Sequence, residues 1–146
     1  MQKLVMIGAL VLGGFGLLTG PVSAHHAFSA EFDADKPVLL QGTVVKVEWI
    51  NPHTWIHIQA KDSSGKVIPA GTTELWMIEC GNPNNLFRRG FTKEILAAGT
   101  AIVVDGYRAK NGSKRANGRD LRLPDGRTLF LGSSGTGAPY DPDAKK

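Results

Sequence analysis

Cysteine is almost missing from this 146-residue chain. Cys80 stands alone, so no disulfide can close within the chain, whatever the redox state around it. In the strand-like run Leu75-Trp76-Met77-Ile78-Glu79-Cys80 it reads as a small buried hydrophobe. Charge of one sign is also scarce. Seventeen Lys and Arg stand against thirteen Asp and Glu, and a net +4 is too mild to name a partner by itself. None of the serines sits in a nucleophile-elbow pattern, which excludes the commonest hydrolase signature. Internal repeats are lacking too, apart from one echo of Glu-x-x-Asn-Pro at 48–52 and 79–83 that reads as shared turn chemistry. Beyond the first residues there is no apolar run near the roughly 20 residues that a membrane-crossing helix requires.

That first apolar run is informative. Lys3 gives a short positive start, residues 4–18 are apolar, and Thr19-Gly20-Pro21 breaks them. Val22-Ser23-Ala24 then offers small residues in the spacing of a cleavage site, so residues 1–24 read as a secretory signal cut after Ala24. No twin arginine and no lipidatable cysteine lies near the cut. The expectation is an exported chain that does not span a membrane and is long enough to bury one core.

After the cut, residues 25–37 read as an arm, with Phe28 and Phe32 placed to dock it. Residues 38–131 read as a β domain. A long first strand runs over 38–49, with Val45, Val47 and Trp49 on one face and a bend or bulge at Gly42. Asn51-Pro52 interrupts the pattern, because proline cannot donate to a ladder. A second strand over 53–60 puts Thr54, Ile56 and Ile58 on one face and His53, Trp55 and His57 on the other. A third strand covers 72–80. Asn82-Pro83 opens a short helix that Gly90 closes, and Thr92 caps a second helical piece over 93–98. A fourth strand over 101–109, a basic loop over 110–119 and a hairpin about Pro124-Asp125-Gly126 within 121–131 complete the domain. From Gly132 the composition is that of a disordered tail, 132–146. Three strands, a helical connection and two strands is the order of the oligonucleotide/oligosaccharide-binding (OB) fold, a small five-stranded barrel. The predicted class is therefore all-β with an OB-like barrel, a small β-sandwich being the alternative.

The arm His25-His26-Ala27-Phe28 through Glu31-Phe32-Asp33, then Lys36-Pro37-Val38, Glu48-Trp49 and Asn51-Pro52-His53, resembles a family of small secreted bacterial proteins catalogued as a domain of unknown function. Pro83-Asn84, Leu86, Arg89-Gly90-Phe91-Thr92 and Asp125-Gly126-Arg127 extend the resemblance over nearly the whole mature chain. It implies export to the periplasm of a Gram-negative bacterium and a compact β domain, and it carries no chemistry.

The chemistry comes from the histidines. A mature chain beginning at His25 offers an amine and an imidazole on one residue, a chelating pair. A second imidazole would complete the nitrogen-rich set that suits Cu(II). His53 is the candidate, since the Asn-Pro turn frees it from the ladder; His26 is the neighbour that could substitute. His57 lies four residues along the strand from His53, roughly 13 Å on a regular strand, so it would share the ion only where a bulge at Pro52 shortens the gap, and it is otherwise an orienting or alternative ligand. Glu48, Glu79 and Asp33 are candidate carboxylate helpers or orienting partners. Processing one residue earlier would place a histidine third, which also binds Cu(II). The competing reading is that adjacent arm histidines are ordinary polar surface and His53 an ordinary turn residue.

Two other readings share these residues. Trp49, Trp55 and Trp76 lie on or beside the first three strands, where this barrel type receives ligands, and aromatic platforms suit glycans, peptides or other small ligands without metal. A third reading is an enzyme, drawn from Cys80 with His53 or His57, or from Glu48 with Glu79. Nucleic acid is not expected of an exported chain, despite the basic segment between Arg108 and Arg127, where only Tyr107 interleaves. The sequence favours binding or carriage over catalysis.

Overall fold

In the computed structural model, residues 28–64, 72–133 and 136–140 are described; the leader, His25 and His26, and residues 141–146 lie outside them. One strand organises the rest. After the short helix α1 (Phe28–Glu31), β1 (Phe32–Glu48) runs for 17 residues and pairs antiparallel along its length with two neighbours, β4 (Ala101–Ala109) and β2 (Trp55–Asp62). Serving both requires a bend. It comes from an extra residue at Val45, where the register with β2 slips between Val44 and Lys46, and Val45 is turned out to solvent. The predicted bulge at Gly42 is thus three residues further along. Gly42 instead permits close contact between strands. A Cβ there would lie 2.1 Å from the backbone oxygen of Gln59, so β1 and β2 approach too closely for any side chain.

β3 (Glu74–Glu79) pairs antiparallel with β2, and β5 (Arg115–Arg122) pairs antiparallel with β4. A short parallel contact between β3 and β5 joins the two ends, Met77 opposite Arg115, Ile78 opposite Ala116 and Glu79 opposite Asn117. The pairings run β1-β2-β3-β5-β4 and back to β1, a barrel-like ring, with β6 (Thr128–Phe130) continuing from β5 as a hairpin. The all-β class with one helical connection holds.

The ring is filled by alternation. Leu40, Ile56, Ile58, Trp76, Ile78, Val104, Ala116 and Leu121 are buried inside, and Thr54, Ile56 and Ile58 share one face as their spacing predicts. Leu86 of α2 (Pro83–Arg88) joins the same core. Asn82 caps α2 as expected, its side chain accepting the Asn85 N–H at 2.9 Å, and Pro83 opens the first turn. The two Asn-Pro pairs therefore differ: Asn82-Pro83 starts a helix, while Asn51-Pro52 is a cis peptide in a bend. The second helical piece forms only turns over 93–96, too short a stretch between Gly90 and Gly99 to sustain a helix.

Two further expectations are corrected. The basic loop shrinks to 110–114, because β5 begins at Arg115. Asn117-Gly118 has the letters of a turn but lies inside the strand, where a Cβ on Gly118 would come within 2.8 Å of Ile78 and Leu131 side chains. The tail read as disordered also packs in part. Arg89 donates to the Gly132 carbonyl at 2.6 Å, Ala138 is fully buried, and Tyr140 donates to the Asn117 side chain at 2.5 Å. With Phe28, Phe32, Tyr107 and Ala109 these tail residues form a second small core outside the ring.

Gly42→Ala should be among the most destabilising single-atom additions to this chain, by about 3 kcal/mol, the upper end of usual overpacking costs. Urea unfolding checks it, and a loss near zero would mean the β1–β2 approach is looser than 2.1 Å implies.

Candidate functional site

Because Ile78 and Ala116 point into the ring, their neighbours Glu79, Arg115 and Asn117 point outward. Outward does not mean exposed here. The arm and tail lie over this face, with the Phe28 N–H donating to the Thr136 carbonyl at 2.8 Å and the Phe28 ring set edge-on to Tyr107. Glu79 keeps only 14% of its side-chain surface, and Asn117 is buried. Arg115 ties the layers together. Its guanidinium donates to Glu31 of the arm at 3.0 Å, lies 3.7 Å from Glu79, and sits 5.0 Å from the Trp55 ring centre.

His53 enters the same neighbourhood from the bend after β1. Its Nδ1 lies 3.2 Å from the carbonyl oxygen of Cys80, which an Nδ1–H would reach as donor. Ser133 donates to that same oxygen at 3.5 Å. Glu79 feels several of the groups around it. Burial pushes its carboxyl above the ordinary glutamate value of 4.5; the charge of His53 draws it back, Glu31 raises it further, and Arg115 and a hydrogen bond with Asn117 lower it. Burial likewise raises the Tyr140 hydroxyl, with Cys80 and Glu79 adding to the effect. The result is a nest of two carboxylates and one guanidinium beside an imidazole, roofed by the arm.

Of the residues singled out from sequence, His53, Glu79 and Trp55, which pairs with Glu79 and lies under Arg115, come together here. The others go elsewhere. His57 is buried and pairs through Nε2 with Glu48 at 3.0 Å, and Lys46 joins them at 2.6 Å from Glu48. Lys46 first and His57 second hold the Glu48 carboxyl below its usual range. Asp33 is lowered too, chiefly by its contact with Lys36 at 3.0 Å. His25 and His26 lie outside the described residues. Among the described residues no group of three or more His, Cys, Asp or Glu is arranged to hold a metal ion.

The tryptophans do not form one platform. Trp49 stacks on Phe87 at 4.8 Å, Trp55 lies half-buried under Arg115, and Trp76 points into the ring with no exposed surface. Cys80 is buried, its thiol directed at the Ile78 carbonyl and its pKa pushed well up by burial and then by Glu79, the opposite of an activated nucleophile. The basic segment is largely engaged as well: Arg119 with Asp105 and Asp120, Arg127 with Asp125, Lys114 with Glu74. No helix among the described residues is long and apolar enough to cross a membrane.

Glu31, Arg115, Asn117 and Tyr140 escape a reading of the sequence. Arg115 and Asn117 are hidden by the loop-like letters of β5 and Tyr140 by the tail's composition, while Glu31 offers the same signal as Asp33, an acid in the arm.

Glu79 generates a prediction in pH. Between 4.5 and its raised folded value, the folded chain holds a proton that the unfolded chain has released, so its contribution to stability falls as pH rises through that window. Glu79→Gln removes this slope. In urea unfolding from pH 4.5 to 8, the variant's stability relative to wild type should therefore climb with pH, whereas a flat difference would mean the carboxyl is not held in a desolvated setting.

No curated protein matches the chain, and no solved structure does. A family of unknown function, DUF6152, matches residues 16–118, which takes in the arm, the first four strands and the first residues of β5. By that match, covering most of the sequence and both carboxylates of the nest, the chain belongs to the DUF6152 family.

Proposed function

We propose that the chain is exported, is cut after Ala24, and binds Cu(II) through the amine and imidazole of His25 together with the imidazole of His53, as a periplasmic copper-carrying protein. The observation that carries this reading is the setting of His53. With Nδ1–H donating to the Cys80 carbonyl, the ring's lone pair sits on Nε2, the arrangement in which metal-binding histidines are commonly oriented by a backbone acceptor.

Two further observations support it. Phe28, three residues after His25, is fixed to the tail by its N–H, and the tail residue Ser133 shares the Cys80 carbonyl with His53. Three residues of chain reach at most about 10 Å. The charge of the imidazole also reaches Glu79, drawing its carboxyl down against burial. A bound Cu(II) would add positive charge near Glu79, lowering its proton affinity and exchanging protons for metal. His26 is the alternative ligand from the arm. The buried, protonated Cys80 suits carriage better than covalent catalysis.

Cu(II) titration of correctly processed protein, with electron paramagnetic resonance to count nitrogen ligands, tests the proposal. One site per chain is expected, weakened at least tenfold by His53→Ala and also by residues added ahead of His25. Binding indifferent to both changes would overturn it.

A further inference from the structure

On the inner side of β3 the structure holds a second feature, unrelated to the copper reading. A cavity of about 710 Å³ opens where β3 and β5 begin and β2 and β4 end. Its apolar wall is Trp76 with Val38 and Ala60. Its volume falls in the range of pockets that accept small organic ligands, about 300–1,000 Å³.

The lining is unusual in two ways. Among the described residues it carries five Lys and Arg against three Asp and Glu. Two of the cations lie over the Trp76 ring, Arg108 at 5.1 Å and Lys114 at 5.4 Å from its centre, and are partly balanced by Asp62 at 4.0 Å and Glu74 at 2.5 Å. Lys61, exposed at the rim, makes no ion pair among the described residues. The second oddity is the indole itself. Trp76 Nε1 is shut off from water and makes no hydrogen bond within the described structure, although buried N–H groups almost always find an acceptor.

We propose that this cavity is a binding site for a small organic anion, a carboxylate or sulfonate on an apolar, ring-sized body. The anionic group draws Arg108, Lys114 and Lys61 to itself, away from the indole face. The apolar body then takes their place against Trp76, Val38 and Ala60, and an acceptor on it meets the indole N–H. Separation of the two cations from Trp76 is inexpensive because each keeps a carboxylate partner. A neutral ligand of the same shape gains the apolar contacts but must leave the cations on the ring or strip them without compensation.

The probe is 8-anilinonaphthalene-1-sulfonate, an aromatic sulfonate whose fluorescence rises on leaving water, compared with uncharged N-phenyl-1-naphthylamine. On the full folded chain, one sulfonate probe per molecule is expected, displaced by excess benzoate and at least tenfold tighter than the neutral probe. The double variant Lys61→Gln/Lys114→Gln, both at the rim, should weaken it at least tenfold with an unchanged circular dichroism spectrum. Glu79→Gln, on the outer face, should leave it unchanged. No saturable binding overturns the proposal, and so does sulfonate binding that the lysine substitutions do not weaken. Equal affinity for the neutral probe overturns the anion specificity.

Discussion

The three-residue parallel contact between β3 and β5 is what the remaining architecture depends on. Without it the strands form an open sheet with β3 and β6 at its edges, and Ile78 and Ala116 lose the enclosure that makes them core. Parallel pairing of so few residues contributes little hydrogen-bond energy of its own. The ring holds because closure buries Trp76, Ile78, Ala116 and Leu121 at once, and apolar burial is the dominant favourable term in folding. Closure also sets the chemistry, since it puts Glu79 alongside Asn117 and Arg115 on the outside.

That outer face is where this chain departs from an economical small barrel. A solvated Glu79 beside Arg115 would contribute a modest surface pair. Covering it with Phe28, Phe32 and Tyr140 converts it into a partly desolvated charge, and the cost appears as the raised carboxyl. The arm gains apolar burial in return, so the desolvated nest is sustained by the second small core. Glu31 and Arg115 add a direct tie between the arm and the face that it covers.

Much of this is legible in the chain. The alternation at Thr54, Ile56 and Ile58, the Asn82-Pro83 helix start, and the order of strands follow from local rules and persist in the fold. What is not legible depends on partners distant in sequence. Asn117-Gly118 carries a turn signature that tertiary packing overrides, because only glycine fits against Ile78 and Leu131. Arg115 reads as one of a run of solvated cations until the arm, 84 residues earlier, brings Glu31 to it. The tail's glycine and serine conceal Ala138 and Tyr140, whose burial requires the groove that the arm and β4 make together. Asp33 and Glu31 are indistinguishable by composition; only the passage from α1 into β1 sets Glu31 against Arg115 and leaves Asp33 with Lys36.

The alternation of β3 explains why an interior cavity and an exterior carboxylate nest can share six residues. Trp76 and Glu79 differ in parity, so one lines the interior cavity and the other the exterior nest, with Ile78 as the wall between. Where the loop enters β5, the same alternation separates Lys114, over the indole, from Arg115, over Trp55. Five Lys and Arg thus line the cavity while the desolvated Glu79 sits under the arm. A one-residue slip of β3 against β5 would exchange the two faces and abolish both sites together. Their chemistry, by contrast, is separable: losing the nest's carboxylate leaves the cavity's cations in place, and neutralising the rim lysines leaves Glu79, Arg115 and His53 as they are.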